Sequence, residues 1–381
     1  MFKTHLKIAW RNLLKNKGFT FINIVGLSTG VAACILIAVY ILHENSYDSS
    51  VADSRQIYRM LNRDSRDGKI EDGIHFSANT APTVKEEFPE VLESGRLNAN
   101  ELFYGAGSNE IQIDGSQKQY HEEGFAYADQ SIINIMDIAM VHGDATTALT
   151  EPFTVVISNK IAKKYFGSQN PVGKTIYLNG NNSDPYRINA VMEDFASNSH
   201  MDYDFFITLK NVEFGEGEQT RWIQNNYFTY LKLAPGTDVT AFQKKMSNRL
   251  INDYIIPALD AAGFVIPDNP NDLFSIQLQK LTDINLHSGT VSFEASTRND
   301  IKIIWIFGIV ALFIMVIASI NFVILSTAKS SNRAKEVGIK KVVGSSQNTL
   351  INQFLTESVL ITFIAFLVGT AIAFLALPLV R

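Results

Sequence analysis

Residues able to do chemistry are few in this chain, and their spacing works against the chemistries they suggest. Gly167-Ser-Gln-Asn-Pro-Val-Gly173-Lys174-Thr175 has the composition of a phosphate-binding loop, in which backbone amides cradle an anion and a lysine reaches it. Five residues separate Gly167 from Gly173 where four are required. The flanking pattern also predicts a helix before the segment and a strand after it, the reverse of a P-loop. His5, His43, His75, His121, His142, His200 and His287 are dispersed, with no pair at helical spacing, so they read as solvent-exposed imidazoles rather than metal ligands. The single cysteine, Cys34, lies within an apolar run, which offers neither a nucleophile nor an intrachain disulfide. Glu86-Glu87 and Glu122-Glu123 sit among polar residues and read as solvated faces. No Gly-x-Ser-x-Gly elbow is present. Nothing here calls for catalysis, a metal or a cofactor.

The elements that would carry these residues divide by charge. Of 33 Lys/Arg and 38 Asp/Glu, residues 1–42 hold five basic and no acidic residues, and residues 301–381 hold seven and two. Segment 43–300 is left with a formal charge of −15, against +10 for the two flanks together. A domain of that sign is unsuited to nucleic acid, whose phosphates require cations. About 250 residues can bury an adequate core without disulfides.

Three uncharged runs, within 19–42, 301–328 and 358–379, are each long enough to cross a hydrocarbon core about 30 Å thick at about 1.5 Å per residue. Ahead of the first, residues 1–18 place Lys3, Lys7, Arg11 and Lys15 four apart, with Leu6, Ala9, Trp10, Leu13 and Leu14 elsewhere around the turn. This predicts a basic amphipathic helix on a membrane surface. The run 19–42 is too long for a signal-peptide core. Val31-Ala-Ala-Cys34 resembles a lipoprotein cleavage box, but eight further apolar residues follow it, so the run is kept as an anchor. Gly26 and Gly30 form a Gly-x-x-x-Gly pair that would admit a close helix neighbour. Asn321 is the polar side chain in these runs most in need of an interhelical partner. The basic residues before the first run, and those between the second and third, put both segments in the cytoplasm and 43–300 outside.

Within 43–300 the pattern is mixed α/β. Strands are expected at Gln56–Asn62, Phe153–Ile157, Lys174–Leu178, Tyr186–Met192, Tyr227–Leu233 and Phe274–Leu281, with hairpins in Phe103–Tyr120. Helices are expected at Ala81–Phe88, after an N-cap at Ser158 as far as Phe166 and Gly167, and over Thr237–Ile256. The fold class is therefore an α-helical membrane protein with three transmembrane helices and a large α/β (α+β) extracytoplasmic domain.

Between the second and third runs lies Arg333-Ala-Lys-Glu-Val-Gly-Ile-Lys-Lys-Val-Val-Gly344, helix formers ending at a glycine fit for a C-cap. Followed by Gln353-Phe-Leu-x-Glu357-Ser358, it resembles the cytoplasmic loop of FtsX/MacB-type ABC transporter permeases. Val155-Val-Ile-Ser-x-x-Ile-Ala-Lys-Lys-Tyr-Phe-Gly167, Asn170-Pro-Val-Gly-Lys174 and Ala190-Val-Met-Glu-Asp194 resemble the periplasmic core domain of MacB-like proteins. Ala9-Trp-Arg-Asn-Leu-Leu-Lys-Asn-Lys17 belongs to the same resemblance.

The resemblance implies a multi-pass inner-membrane permease subunit that binds no ATP itself. A separate cytoplasmic ATPase would dock beneath a homo- or heterodimer of permeases, and a periplasmic partner is conceivable. The external domain would be moved through the membrane helices, by mechanotransmission. Residues 329–357 would be the coupling segment, with Arg333, Lys335, Glu336, Val337, Gly338, Lys340, Lys341 and Gly344 facing or shaping the ATPase contact. Relatives in this family carry at least four spans per unit, so three spans imply a fragment of a longer permease or a short gene product. The competing class is a membrane-anchored sensor or ligand-binding protein with an extracytoplasmic domain.

Overall fold

The computed structural model describes residues 2–66, 69–101, 103, 106–266, 269–289, 291–292, 298–328, 337–344 and 346–380. Two compact units emerge, one of residues 1–44 with 301–381 and one of residues 45–300.

The 45–300 unit is built on fourteen strands among the described residues. They are β1 (Ile57–Arg66), β2 (Lys69–Gly73), β3 (Phe76–Ser77), β4 (Val91–Asn98), β5 (Gly107–Ile113), β6 (Gln119–Ala128) and β7 (Met140–His142), followed by β8 (Thr154–Ser158), β9 (Thr175–Leu178), β10 (Asn181–Met192), β11 (Phe205–Thr208), β12 (Asn225–Leu233), β13 (Phe274–Lys280) and β14 (Val291–Ser292). β11 pairs antiparallel with β8 and parallel with β6. This closes six strands into a ring in the order β5-β6-β11-β8-β10-β9.

Strand side chains alternate between the two faces of a sheet, and here both faces are apolar. Phe125 and Tyr127 of β6, Val155 and Ile157 of β8, and Phe205 and Ile207 of β11 share the core inside the ring. Their neighbours Ala126, Ala128, Val156 and Phe206 belong to a second core outside it. Phe125 and Phe205, opposite each other in register, stack at 3.9 Å between centroids. The expected buried strand near Phe153–Ile157 is present as β8. After it, Ser158 accepts a hydrogen bond from the Ile161 amide and caps the helix Asn159–Phe166, which ends at Gly167.

A second, antiparallel sheet runs β4-β12-β1-β13. Helices Thr80–Glu87 and Val239–Leu250 cover one face, where Tyr58, Met60, Leu231 and Leu233 meet Val84, Phe88, Phe242 and Met246. The other face, with Ile57, Leu61 and Tyr230, packs into the core shared with the outside of the ring. The two sheets join where β4 pairs with β6, Leu97 opposite Ala128 and Asn98 opposite Tyr127. The helix expected over Thr237–Ile256 is α-helical only to Leu250; a π-helical turn, Ile251–Ile255, follows, then Ile256–Ala261. β2, β3, β4, β7, β11 and β14, with the greater part of β6, are additional to the expected strands.

In the other unit, three helices are long and apolar enough to cross a membrane, among the described residues. They are Lys17–Glu44, Ile301–Ala328 and Gln347–Pro378 of the helix Gln347–Val380, called here the first, second and third spans. The amphipathic helix Phe2–Lys15 precedes them. An unbroken apolar surface forces helical backbone in lipid, where no water is available to satisfy free amides.

Candidate coupling region and helix interface

Of the candidate coupling segment, residues 337–344 and 346–357 are described; Arg333, Lys335 and Glu336 lie outside the described residues. Residues 337–342 are helical, and Gly344, at φ +94°, ends the turn with its amide donating to the Lys341 carbonyl. A side chain in that left-handed conformation would be strained, which accounts for a glycine there. Ile339, Val342 and Val343 are 59%, 89% and 81% exposed, so three apolar side chains stand unburied on a segment flanked by Lys340 and Lys341. Gly338 adds no bulk to this surface.

This segment is tied back to the third span. Lys340 Nζ donates to Gln353 Oε1 at 2.9 Å. One turn further along the same helix, Glu357 is buried and accepts from Asn12 Nδ2 at 2.8 Å. Leu350, Gln353, Glu357 and Ile361 recur at intervals of three and four and form one buried stripe. The N-terminal helix meets it through Asn12, with Ala9 and Leu13 buried on the same side. Leu6, Ile8, Trp10 and Leu14 of the same helix remain exposed, as expected of a helix at a lipid surface. A hydrogen bond to a buried carboxylate contributes about 1.5–3 kcal/mol, and orphaning either partner costs a comparable amount.

The small residues singled out in the first span face the second. A Cβ on Gly26 would lie 3.1 Å from Asn321 Nδ2, and one on Gly30 would lie 3.0 Å from the Ala318 Cβ. Asn321 thus rests against the first span and stays exposed on its own helix. Cys34 Sγ donates to the Ala311 carbonyl at 3.3 Å along the same interface. On the opposite side of the first span, a Cβ on Gly369 would come within 2.7 Å of the Ser28 carbonyl oxygen. Gly369 was not among the expected packing residues, because a lone glycine in an apolar run has no spacing to flag it.

In the 45–300 unit two expectations need correction. His200 is not solvent-exposed: it is buried, with Nε2 3.0 Å from the Tyr230 hydroxyl and Nδ1 2.9 Å from Asp48 Oδ1. Asp48 also accepts from the His200 amide at 3.0 Å. Burial pushes the imidazole below its ordinary range, against the pull of Asp48. Glu87 and Glu122 are likewise not free solvated carboxylates. Glu87 is held by Arg249 and the Tyr254 hydroxyl, and the Arg249 hydrogen bond, followed by that of Tyr254, draws its carboxyl below the usual range. Glu122 is held by Lys164 and the Tyr165 hydroxyl. The P-loop look-alike follows the helix Asn159–Phe166 and leads into β9, and its Lys174 is turned onto Gln169 and the Phe166 ring.

With this geometry in view, the family profile described as "MacB-like periplasmic core domain" matches residues 20–249, and "FtsX-like permease C-terminal" matches residues 273–381. The chain belongs to the FtsX/MacB-like ABC transporter permease family, and it is a multi-pass inner-membrane protein with a periplasmic segment. It is 23% identical over 379 residues to the pyoverdine export ATP-binding/permease protein PvdT of Pseudomonas aeruginosa, covering 97% of this chain and 50% of that one. The uncharacterized ABC transporter permease YvrN of Bacillus subtilis is 20% identical over 384 residues, covering 97% of this chain and 86% of that one. The crystal structure of the periplasmic region of MacB from Actinobacillus actinomycetemcomitans aligns at TM-score 0.38 and 13% identity, over 61% of this chain and 94% of that one. The chain spans about half the length of the first curated relatives it matches.

Proposed function

We propose that this chain is the permease subunit of an ABC-type transporter or mechanotransmission complex. It couples ATP hydrolysis by a separate cytoplasmic ATPase to motion of its periplasmic domain, for efflux, lipoprotein or peptide export, or regulation of the cell envelope. On this reading it catalyses nothing itself and works as a dimer of permeases, with a periplasmic partner where the system has one. Residues 43–300 form the periplasmic domain and 329–357 the coupling segment.

The observation that carries the reading is the pairing of an exposed apolar surface with a tether. Ile339, Val342 and Val343 offer a partner contact worth about 25 cal/mol per Å² of apolar surface covered. The Lys340–Gln353 bond ties that contact to the third span, and the Glu357–Asn12 bond ties the third span to the N-terminal helix. A push on the segment therefore reaches two helices together. Arg333, Lys335 and Glu336 extend the same contact on this proposal.

The test uses the full chain in proteoliposomes with its ATPase. Val342→Asp should lower both co-purification of the ATPase and the permease-dependent part of its turnover at least tenfold, and Glu336→Lys should do the same. If docking and stimulation survive both substitutions, the coupling assignment is wrong.

A further inference from the structure

A cavity of about 700 Å³ opens in the 45–300 unit between the edge of the second sheet and the chain that follows helix Val239–Leu250. Its floor is apolar and buried, with Phe76, Ile251 and Ile276 each 4% exposed or less. The wall is made by the π-helical turn. Up to Leu250 the helix turns its apolar stripe into the core under the sheet; the π turn adds a residue and carries the apolar run onward, so that Ile255, Ile256 and Leu259 line the cavity, Ile255 and Ile256 while also packing against that core. At the mouth Phe264 is 58% exposed and Val265 96% exposed. Volume and lining match sites that enclose a small ligand, and exposed apolar side chains clustered at an opening mark a surface meant to be covered.

The charges select the ligand. Arg63 is the cation among the described lining residues, and it is already engaged by Asp72 in a two-point ion pair, Nε to Oδ1 at 2.7 Å and Nη2 to Oδ2 at 2.8 Å. An anionic head would have to displace that pair. The surrounding segment carries −15, a field that concentrates cations and repels anions. Trp222 lines the cavity, stacked on Tyr254 of the π turn at 4.5 Å between centroids, and indole is the aromatic ring best suited to bind an ammonium group. We propose that this cavity binds a small organic cation, its apolar body against Ile251, Ile255 and Leu259 and its ammonium group against Trp222. The inference is independent of ATPase coupling, since binding is measured with no ATPase present.

The sequence has three tryptophans, so Trp10→Phe with Trp305→Phe leaves Trp222 as the sole reporter. The full chain in lipid nanodiscs, carrying both changes, is titrated with octyltrimethylammonium while Trp222 emission is followed. The expected result is a saturable emission shift, with octyl sulfate at least tenfold weaker. Ile255→Lys, which sets a positive charge against the apolar wall, should raise the half-saturation concentration at least tenfold. Phe264→Ser, at a position 58% exposed, should raise it severalfold. A linear, unsaturable response would overturn the proposal. So would equal binding of octyl sulfate, or titrations of the Phe264→Ser chain indistinguishable from the parent.

Discussion

At the scale of single residues, the buried His200 carries a pH dependence that its sequence surroundings do not announce. Asp48 and the Tyr230 hydroxyl face the ring, Arg298 donates to the His200 carbonyl, and the positive charges of Arg298 and Arg59 join burial in lowering its affinity for a proton. The folded form is therefore neutral, and the unfolded segment takes up a proton below the ordinary value of 6.5. Stability contributed by this group is complete above that value and falls as pH drops through it, by at most about 1.4 kcal/mol per pH unit. Hydrogen-exchange protection of the amides of residues 198–201, corrected for intrinsic rates, should decline between pH 7.5 and 5.5, and His200→Gln should flatten that decline. A profile unchanged by the substitution would remove His200 as its source. Nothing in the one-dimensional pattern marks this residue, because its partners Asp48 and Tyr230 come from distant strands and loops. Gly344, in contrast, was legible, since a left-handed C-cap is a local demand that the chain answers with a local residue.

At the scale of elements, the helix interfaces depend on missing side chains. Gly369 lies so close to the first span that even a methyl group would press on the Ser28 carbonyl, which cannot move without its helix. Gly369→Ala should lower the thermal midpoint of the full chain in nanodiscs, for a cost of about 1–3 kcal/mol. Gly308, with nothing near its Cβ position, should accept alanine without loss. Equal midpoints for the two variants would refute the close approach. Elements with strong local patterns were readable in advance: the three apolar runs, β8, and the capped helix after Ser158. β4 was not, because Glu93, Ser94, Gly95 and Arg96 interrupt its apolar alternation, and Arg96 is satisfied only by Asp129 and other groups far away in sequence. β11 has four residues, too few for a period to show, and it is a strand because β6 and β8 hold it on both sides. The π turn was hidden for a related reason, since Ile251 to Leu259 continues an apolar helical pattern in which one extra residue per turn leaves no mark.

At the scale of the whole molecule, charge separation is the organising signal, with −15 in residues 43–300 and +10 in the flanks. In a Cys34→Ala background, a cysteine placed at Ser116 should react with a membrane-impermeant maleimide added outside, and one placed at Ser331 should react only after permeabilisation. The reverse labelling would invert the topology. The order of strands has a further consequence for biogenesis. All six strands of the ring come from one continuous stretch, 107–208, whereas β1 pairs with β12 and β13, the latter more than two hundred residues away. Contacts between near neighbours in sequence form fastest, and long loops must close before distant strands can pair. As the chain emerges from the translocation machinery, the ring can therefore mature as soon as residue 208 is clear. The second sheet, with β1 already exported, must wait with an open edge until β13 arrives. That interval is when the domain is most prone to aggregate, and when a periplasmic chaperone would have most to do.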